Sequence, residues 1–145
     1  MEEENDYRQY VIFRGDMKSL TPLKACAQAV HASDLLNLHM KDYPTGLLTK
    51  YYYENSSELG FQTTICMEAP NWEMISNFMF RLNSIEEHLI SLTVHDPTYP
   101  VPDGGITHLI PLHTCLIVYG QESVIRPITE EFGFSMKWGG TRDWD

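Results

Sequence analysis

Cations are scarce in this sequence. Ten Lys and Arg stand against twenty Asp and Glu, a net charge of −10, which weighs against a broad nucleic-acid-binding face because phosphate contacts rely on Lys and Arg. Cysteine is scarce as well. Cys26, Cys66 and Cys115 lie far apart, are odd in number and include no CxxC pair. That pattern excludes a disulfide framework and fits a reducing compartment, so the cytoplasm is the expected location. No apolar run approaches the roughly 18 residues of a membrane span, and the opening MEEENDY has no signal-peptide character; no membrane association is expected. Internal repeats, low-complexity runs and interdomain linkers are all lacking, as is a GxSxG elbow or any Ser or Cys in a recognisable nucleophile motif. His95, His108, His113 and Cys115 show neither a helical i, i+4 pair nor a familiar ligand spacing, so no metal site is expected.

What is present describes a globular domain. The chain has 145 residues, 43% of them apolar and 21% charged, enough for one buried core. The expected division is an acidic tail over residues 1–8, a domain over 9–138 and a second tail over 139–145. Six of the acidic residues, Glu2, Glu3, Glu4, Asp6, Asp143 and Asp145, then belong to the tails. Arg14, Lys18 and Lys24 cluster where the first strand hands over to the first helix. Such a patch survives on an acidic protein, since screening mutes charges farther off than about 8–10 Å.

Tyr10–Arg14 (YVIFR) reads as a buried strand. After a turn, Thr21-Pro22 opens a helix that runs to about Met40, because a capping hydroxyl followed by proline is a strong start signal. Leu47–Glu54 reads as a weaker helix and Phe61–Met67 (FQTTICM) as a strand. A helix opened by Pro70 carries Met74, Ile75, Phe78, Met79 and Leu82 at helical spacing. Leu89–Val94 is a strand, and His95–Gly105, rich in Pro, Asp and Gly, reads as a loop. Thr114–Tyr119 is a further strand, and Glu122–Phe132 a helix that Pro127 must begin or kink. Strands alternating with helices predict an α/β protein: one three-layer α/β/α sandwich on a four-stranded mixed sheet.

The first helix, TPLKACAQAVHASDLLNLHM, is mostly small or apolar, so its polar positions stand out. At about 100° per residue, Thr21, Lys24, Gln28 and His31 fall on one stripe roughly 80° wide. Such a stripe is either a solvated face or a lining turned to a cleft at the end of the sheet. The alanines at 25, 27, 29 and 32 favour close packing on both flanks of the helix.

These residues resemble the type-2 peptidyl-tRNA hydrolase family. Arg14-Gly15-Asp16 is similar to that family's strand-end Arg-x-Asp turn, and Lys24, Gln28 and His31 match the Lys, Gln and His of its first helix. Asp103-Gly104-Gly105-Ile106-Thr107 resembles its D-A-G-x-T loop; Pro111 and Thr114-Cys115-Leu116 resemble the proline and T-x-L strand that follow. Tyr119-Gly120 and the closing GFSMKW (Gly133–Trp138) extend the likeness, which covers about residues 9–138. The resemblance implies the same sandwich fold and hydrolysis of the ester between a peptide and the terminal ribose of tRNA, without metal or cofactor. It places catalytic positions on Lys24, Asp103, Thr107 and Thr114, with peptidyl-tRNA as partner; Arg14, Gln28 and His31 of the matching motifs, together with Lys18 of the basic cluster, are the expected substrate contacts. Nothing in the sequence excludes a homodimer.

Ester hydrolysis needs an activated water and a group that stabilises the developing oxyanion. A lysine beside a carboxylate suits the oxyanion or the leaving ribose oxygen, an aspartate can orient that lysine or take a proton from water, and threonine hydroxyls can position either. The chain departs from the family in three places. The aspartate-bearing loop is longer by about eight residues, His95–Pro102, and offers Asp96 as a rival to Asp103; Asp103 keeps the four-residue spacing to Thr107 and is preferred. Glu68 stands in M-E-A-P where the family has Lys, and the turn before Lys24 lacks the usual glycines and extra lysines. These departures leave open an RNA- or protein-binding module of the same fold with impaired catalysis, and hydrolysis of another acyl ester or amide.

Overall fold

The computed structural model of the protein describes residues 5–44, 46–85 and 88–136. Along the chain run β1 (Tyr7–Arg14), α1 (Pro22–Asp42), α2 (Leu47–Leu59), β2 (Thr64–Ala69), α3 (Trp72–Asn83), β3 (Ile90–Asp103), β4 (Ile106–Gln121) and α4 (Glu122–Glu131). The strands form one sheet in the order β2-β1-β4-β3, with β1 and β2 parallel and the other pairs antiparallel. Parallel pairing of β1 with β2 needs a crossover, which α1 and α2 supply.

Alternation along β1 sends its side chains into two cores. Tyr7, Val11 and Phe13 pack with Ala25, Ala32, Leu36 and Met40 of α1 and Leu48, Tyr51 and Tyr52 of α2. Tyr10 and Ile12 pack on the opposite face with Ile75, Phe78 and Leu82 of α3 and Ile125 and Ile128 of α4. The chain is therefore a single α/β domain with apolar cores on both faces of a four-stranded mixed sheet, as its pattern of elements predicts. Among the described residues, no helix is long and apolar enough to cross a membrane.

Local chemistry sets the helix ends. The Thr21 hydroxyl accepts the Lys24 N–H at 3.4 Å with Pro22 in the first turn, and Asn71 caps α3 by accepting the Met74 N–H at 2.9 Å. At the start of α4, Gln121 makes no side-chain cap, and Asp6 supplies the acceptors instead. Its carbonyl takes the Glu122 N–H at 2.9 Å and its carboxylate the Ser123 N–H at 3.3 Å. Asp6 and the buried Tyr7 thus belong to the domain and not to an acidic tail ending at residue 8. Pro127 lies inside α4 instead of beginning it. Residues 1–4 and 139–145, with Lys137 and Trp138 of the closing motif, lie outside the described residues.

The largest difference from expectation is His95–Gly105, which is strand and turn, not loop. Pro97, Pro100 and Pro102 sit on β3, an edge strand, where a missing N–H costs no sheet hydrogen bond if it faces outward. Gly104 and Gly105 join β3 to β4 as a two-residue turn with φ +61° at Gly104, the position where a type II′ hairpin asks for glycine. On α1, Ala25 and Ala32 are buried but Ala27 is exposed, so the helix packs along one flank and not both.

Candidate functional site

The polar stripe of α1 faces the β3–β4 ribbon. Lys24 Nζ donates to the Pro100 carbonyl at 2.9 Å and lies 5.2 Å from the centre of the Tyr99 ring. One turn on, Gln28 is only 3% exposed and bonds at both ends of its amide. Its Nε2 donates to Asp96 Oδ2 at 2.8 Å, and its Oε1 accepts the Thr114 hydroxyl at 2.7 Å. Thr98 closes the cradle from its backbone, donating to Asp96 Oδ1 at 2.9 Å.

Two register irregularities bring Asp96 and Thr114 to this face. Between Val94↔Cys115 and His95↔His113, β4 carries one extra residue, Thr114; between Asp96↔Leu112 and Tyr99↔Ile110, β3 carries one extra. A bulge turns neighbouring side chains to the same side. Thr114 and Cys115 accordingly both meet Gln28, the first at its amide and the second with its thiol 3.9 Å from the backbone carbonyl. Strict alternation would have aimed one of them at α3.

The electrostatics separate the groups. Burial alone would raise the Asp96 carboxyl. The Gln28 amide, the Thr98 backbone N–H, the charge of His31 and the Thr98 hydroxyl outweigh it and hold Asp96 below the ordinary carboxylate range. Burial pushes the Cys115 thiol up to about 12, so it is neutral and no nucleophile. Among the described residues, no group of three or more His, Cys, Asp or Glu is placed to hold a metal.

The expected site residues divide into two places. Thr114, Gln28 and Asp96 form one hydrogen-bonded chain, His31 is near enough for its charge to act on Asp96, and Lys24 stands one turn back on α1 at the Pro100 carbonyl. Asp103 and Thr107 do not join them. Asp103 stands at the hairpin tip, its side chain 78% exposed and 3.2 Å from His108 Nε2, and Thr107 pairs with Pro102 beside it. From Thr107 to Thr114 is seven steps along a strand, roughly 20 Å. The preference for Asp103 over Asp96 therefore has no support in the geometry, because the inserted residues extend the hairpin and carry the DGG turn away from α1. Thr114 is fully buried and Gln28 nearly so. Both hold other groups in place; neither is free to meet a substrate.

The basic cluster also splits. Arg14 grips Asp16 with two hydrogen bonds, 2.7 and 2.8 Å, and reaches the His113 carbonyl at 3.2 Å. Arg14 thereby holds the Asp16 carboxyl below its ordinary range, and Asp16 neutralises the guanidinium, which lies 5.8 Å from the Trp72 ring centre. Lys18 lines a shallow cleft of about 380 Å³ with Ser19 and with Val101 and Pro102 of β3. Two cations, Lys18 and Lys24, thus border the ribbon. Reading from sequence weighed Asp96 but ranked it second to Asp103, and it missed the Pro100 carbonyl and the Tyr99 ring, contacts across the ribbon that leave no spacing signal.

The chain matches no protein-family model and no curated protein.

Gln28 offers a test of the site's internal bonding. Gln28→Leu leaves the buried Thr114 hydroxyl without its acceptor and Asp96 without its amide donor. The expected loss is about 1–3 kcal/mol in urea or thermal unfolding. An unchanged midpoint would mean that the bridge is not formed in solution.

Proposed function

We propose that the protein hydrolyses the ester bond of peptidyl-tRNA. The observation that carries this reading is that α1 brings Lys24 and Gln28 to the same bulged strand, Lys24 bonded to the Pro100 carbonyl and Gln28 to Asp96, with Thr114 buried behind Gln28 as its support. The motif resemblance named the lysine, the glutamine and the second threonine. In this reading Asp96, fixed and anionic, orients the attacking water. Lys24 spends one N–H on Pro100 and turns its charge to the oxyanion or the leaving ribose oxygen. A carboxylate held below its usual range is a weak proton acceptor, so Asp96 acts more by position and charge than by basicity.

The direct test is release of free tRNA from purified N-acetyl-aminoacyl-tRNA and longer peptidyl-tRNAs. Absence of turnover with correctly folded protein would sink the reading. A binding module of the same fold is the second reading, favoured by the small number of cations at the site. The salt dependence of tRNA binding bears on both. If Lys18 and Lys24 make the phosphate contacts, log affinity should fall against log salt with a slope of roughly −1.4 to −1.8. Lys18→Ala should bring the slope near −1 without touching the chemical step. A slope near −6 between about 50 and 200 mM salt would reveal a wide basic surface at odds with this geometry. No binding even at low salt would remove RNA as substrate.

A further inference from the structure

Past Asp96, β3 and β4 leave the sheet as a two-stranded arm. β1 pairs with β4 only over Cys115–Gln121, so Ile106–Leu112 have β3 on one side and, among the described residues, no strand on the other. The two edges of this arm differ. Three prolines on β3 remove donors and oppose further pairing along that edge. On β4 only Pro111 does so, and the backbone from Ile106 to Ile110 keeps its N–H groups.

This open edge is apolar on both faces. Ile106 is 65% exposed, Leu109 64% and Ile110 37%. Alternation puts Ile106 and Ile110 on one face and Leu109 on the other. No Lys or Arg occurs between His95 and His113, where the only carboxylates are Asp96 and Asp103. Lys18 and Lys24 meet the ribbon on its β3 side, and the β4 edge itself carries no cation with which to neutralise phosphates. An open strand edge with apolar side chains to either side suits an extended apolar peptide, held by main-chain hydrogen bonds and alternate side-chain contacts. The arm is also continuous with the site, since Asp96 stands at its base and the Pro100 carbonyl takes Lys24.

We propose that the β4 edge of the arm, Ile106–Ile110, binds an extended apolar peptide by strand addition. Its identity as the peptide moiety of peptidyl-tRNA rests on the hydrolase reading; the strand-addition surface does not. In that arrangement the arm takes the peptide, and the Lys18 and Lys24 side takes the RNA.

The test compares two substrates in the wild type and in the triple variant Ile106→Ser/Leu109→Ser/Ile110→Ser. One is N-acetyl-aminoacyl-tRNA; the other carries an apolar peptide of about six residues, the length of an ordinary strand. The wild-type ratio of kcat/KM, long over short, should exceed that of the variant by about tenfold or more. Equal ratios with both substrates cleaved would overturn the arm's role and leave the hydrolase reading standing. Amide hydrogen exchange gives a second, activity-independent measure, with a free N-acetylated apolar peptide of similar length as probe. Slowed exchange over Ile106–Ile110 in the wild type, but not in the variant, supports the surface even if neither tRNA is cleaved. Unchanged exchange in the wild type overturns it. If circular dichroism shows the triple variant misfolded, Leu109→Ser alone replaces it in both measurements.

Discussion

Asp96→Asn should lower kcat/KM for peptidyl-tRNA by a factor on the order of 10² or more, while Asp103→Asn should stay within a few-fold of the wild type. Asp96 is the carboxylate that the fold holds: hydrogen bonds from Gln28 at 2.8 Å and Thr98 at 2.9 Å fix it beneath α1, and together with the charge of His31 they hold it below the ordinary carboxylate range. Among the described residues Asp103 bonds to His108, at an exposed hairpin tip. The two variants also differ in their response to acid. The Asp96 carboxyl is held down on folding, so its charged form adds stability above the ordinary aspartate value near about pH 4 and loses it as the pH falls through the lower folded value. The wild type should therefore lose stability below about pH 4 by a component that Asp96→Asn lacks, visible as a flatter acid limb in denaturation midpoints. The reverse ranking of the two aspartates in activity would place the chemistry at the hairpin tip and force the arm to fold back over α1.

The elements of this fold are legible in the sequence wherever local signals and burial agree. Thr21-Pro22 starts α1 where a capping hydroxyl and a proline say it should, and YVIFR is the buried strand its composition implies. Tyr51 and Tyr52 are core and Tyr53 is rim, as an amphipathic α2 requires. Legibility fails at His95–Gly105 because proline density signals a loop only when the missing N–H groups are needed. On an edge strand they are not, and the segment extends a hairpin. The same error displaces the site. Counting residues back from Thr107 selects Asp103, whereas the partner of Gln28 is decided by two bulges that shift the register around Thr114 and Asp96. A bulge leaves no mark in composition or period, so no spacing rule finds it. The stripe of α1 is the opposite case. Its 3.6-residue period is legible, and the fold turns it to the ribbon and not to solvent because Gln28, flanked by Ala25 and Ala32, is drawn into the core with its amide fully bonded.

Lys24→Met should abolish ester cleavage, with a loss of about 10²–10³ or more in kcat, and leave the fold intact. The methionine keeps an unbranched apolar stem against Tyr99 and removes only the ammonium, which donates to a single carbonyl and is half-buried at the first turn of α1. Its contribution to stability is a cation–π contact and one hydrogen bond, on the order of 1 kcal/mol. In the proposed reaction its contribution is larger, because that reading sets its charge against the oxyanion. Loss of the positive charge should therefore fall on kcat more than on KM, since tRNA keeps its contact at Lys18. The measurement is single-turnover cleavage of N-acetyl-aminoacyl-tRNA together with a thermal melt of the same preparation. Turnover within a few-fold of the wild type would remove Lys24 from the chemistry. A collapse of the melting temperature would instead make the Lys24–Pro100 bond the latch that holds the arm against α1, and the lost activity would then report a displaced arm in place of a missing charge.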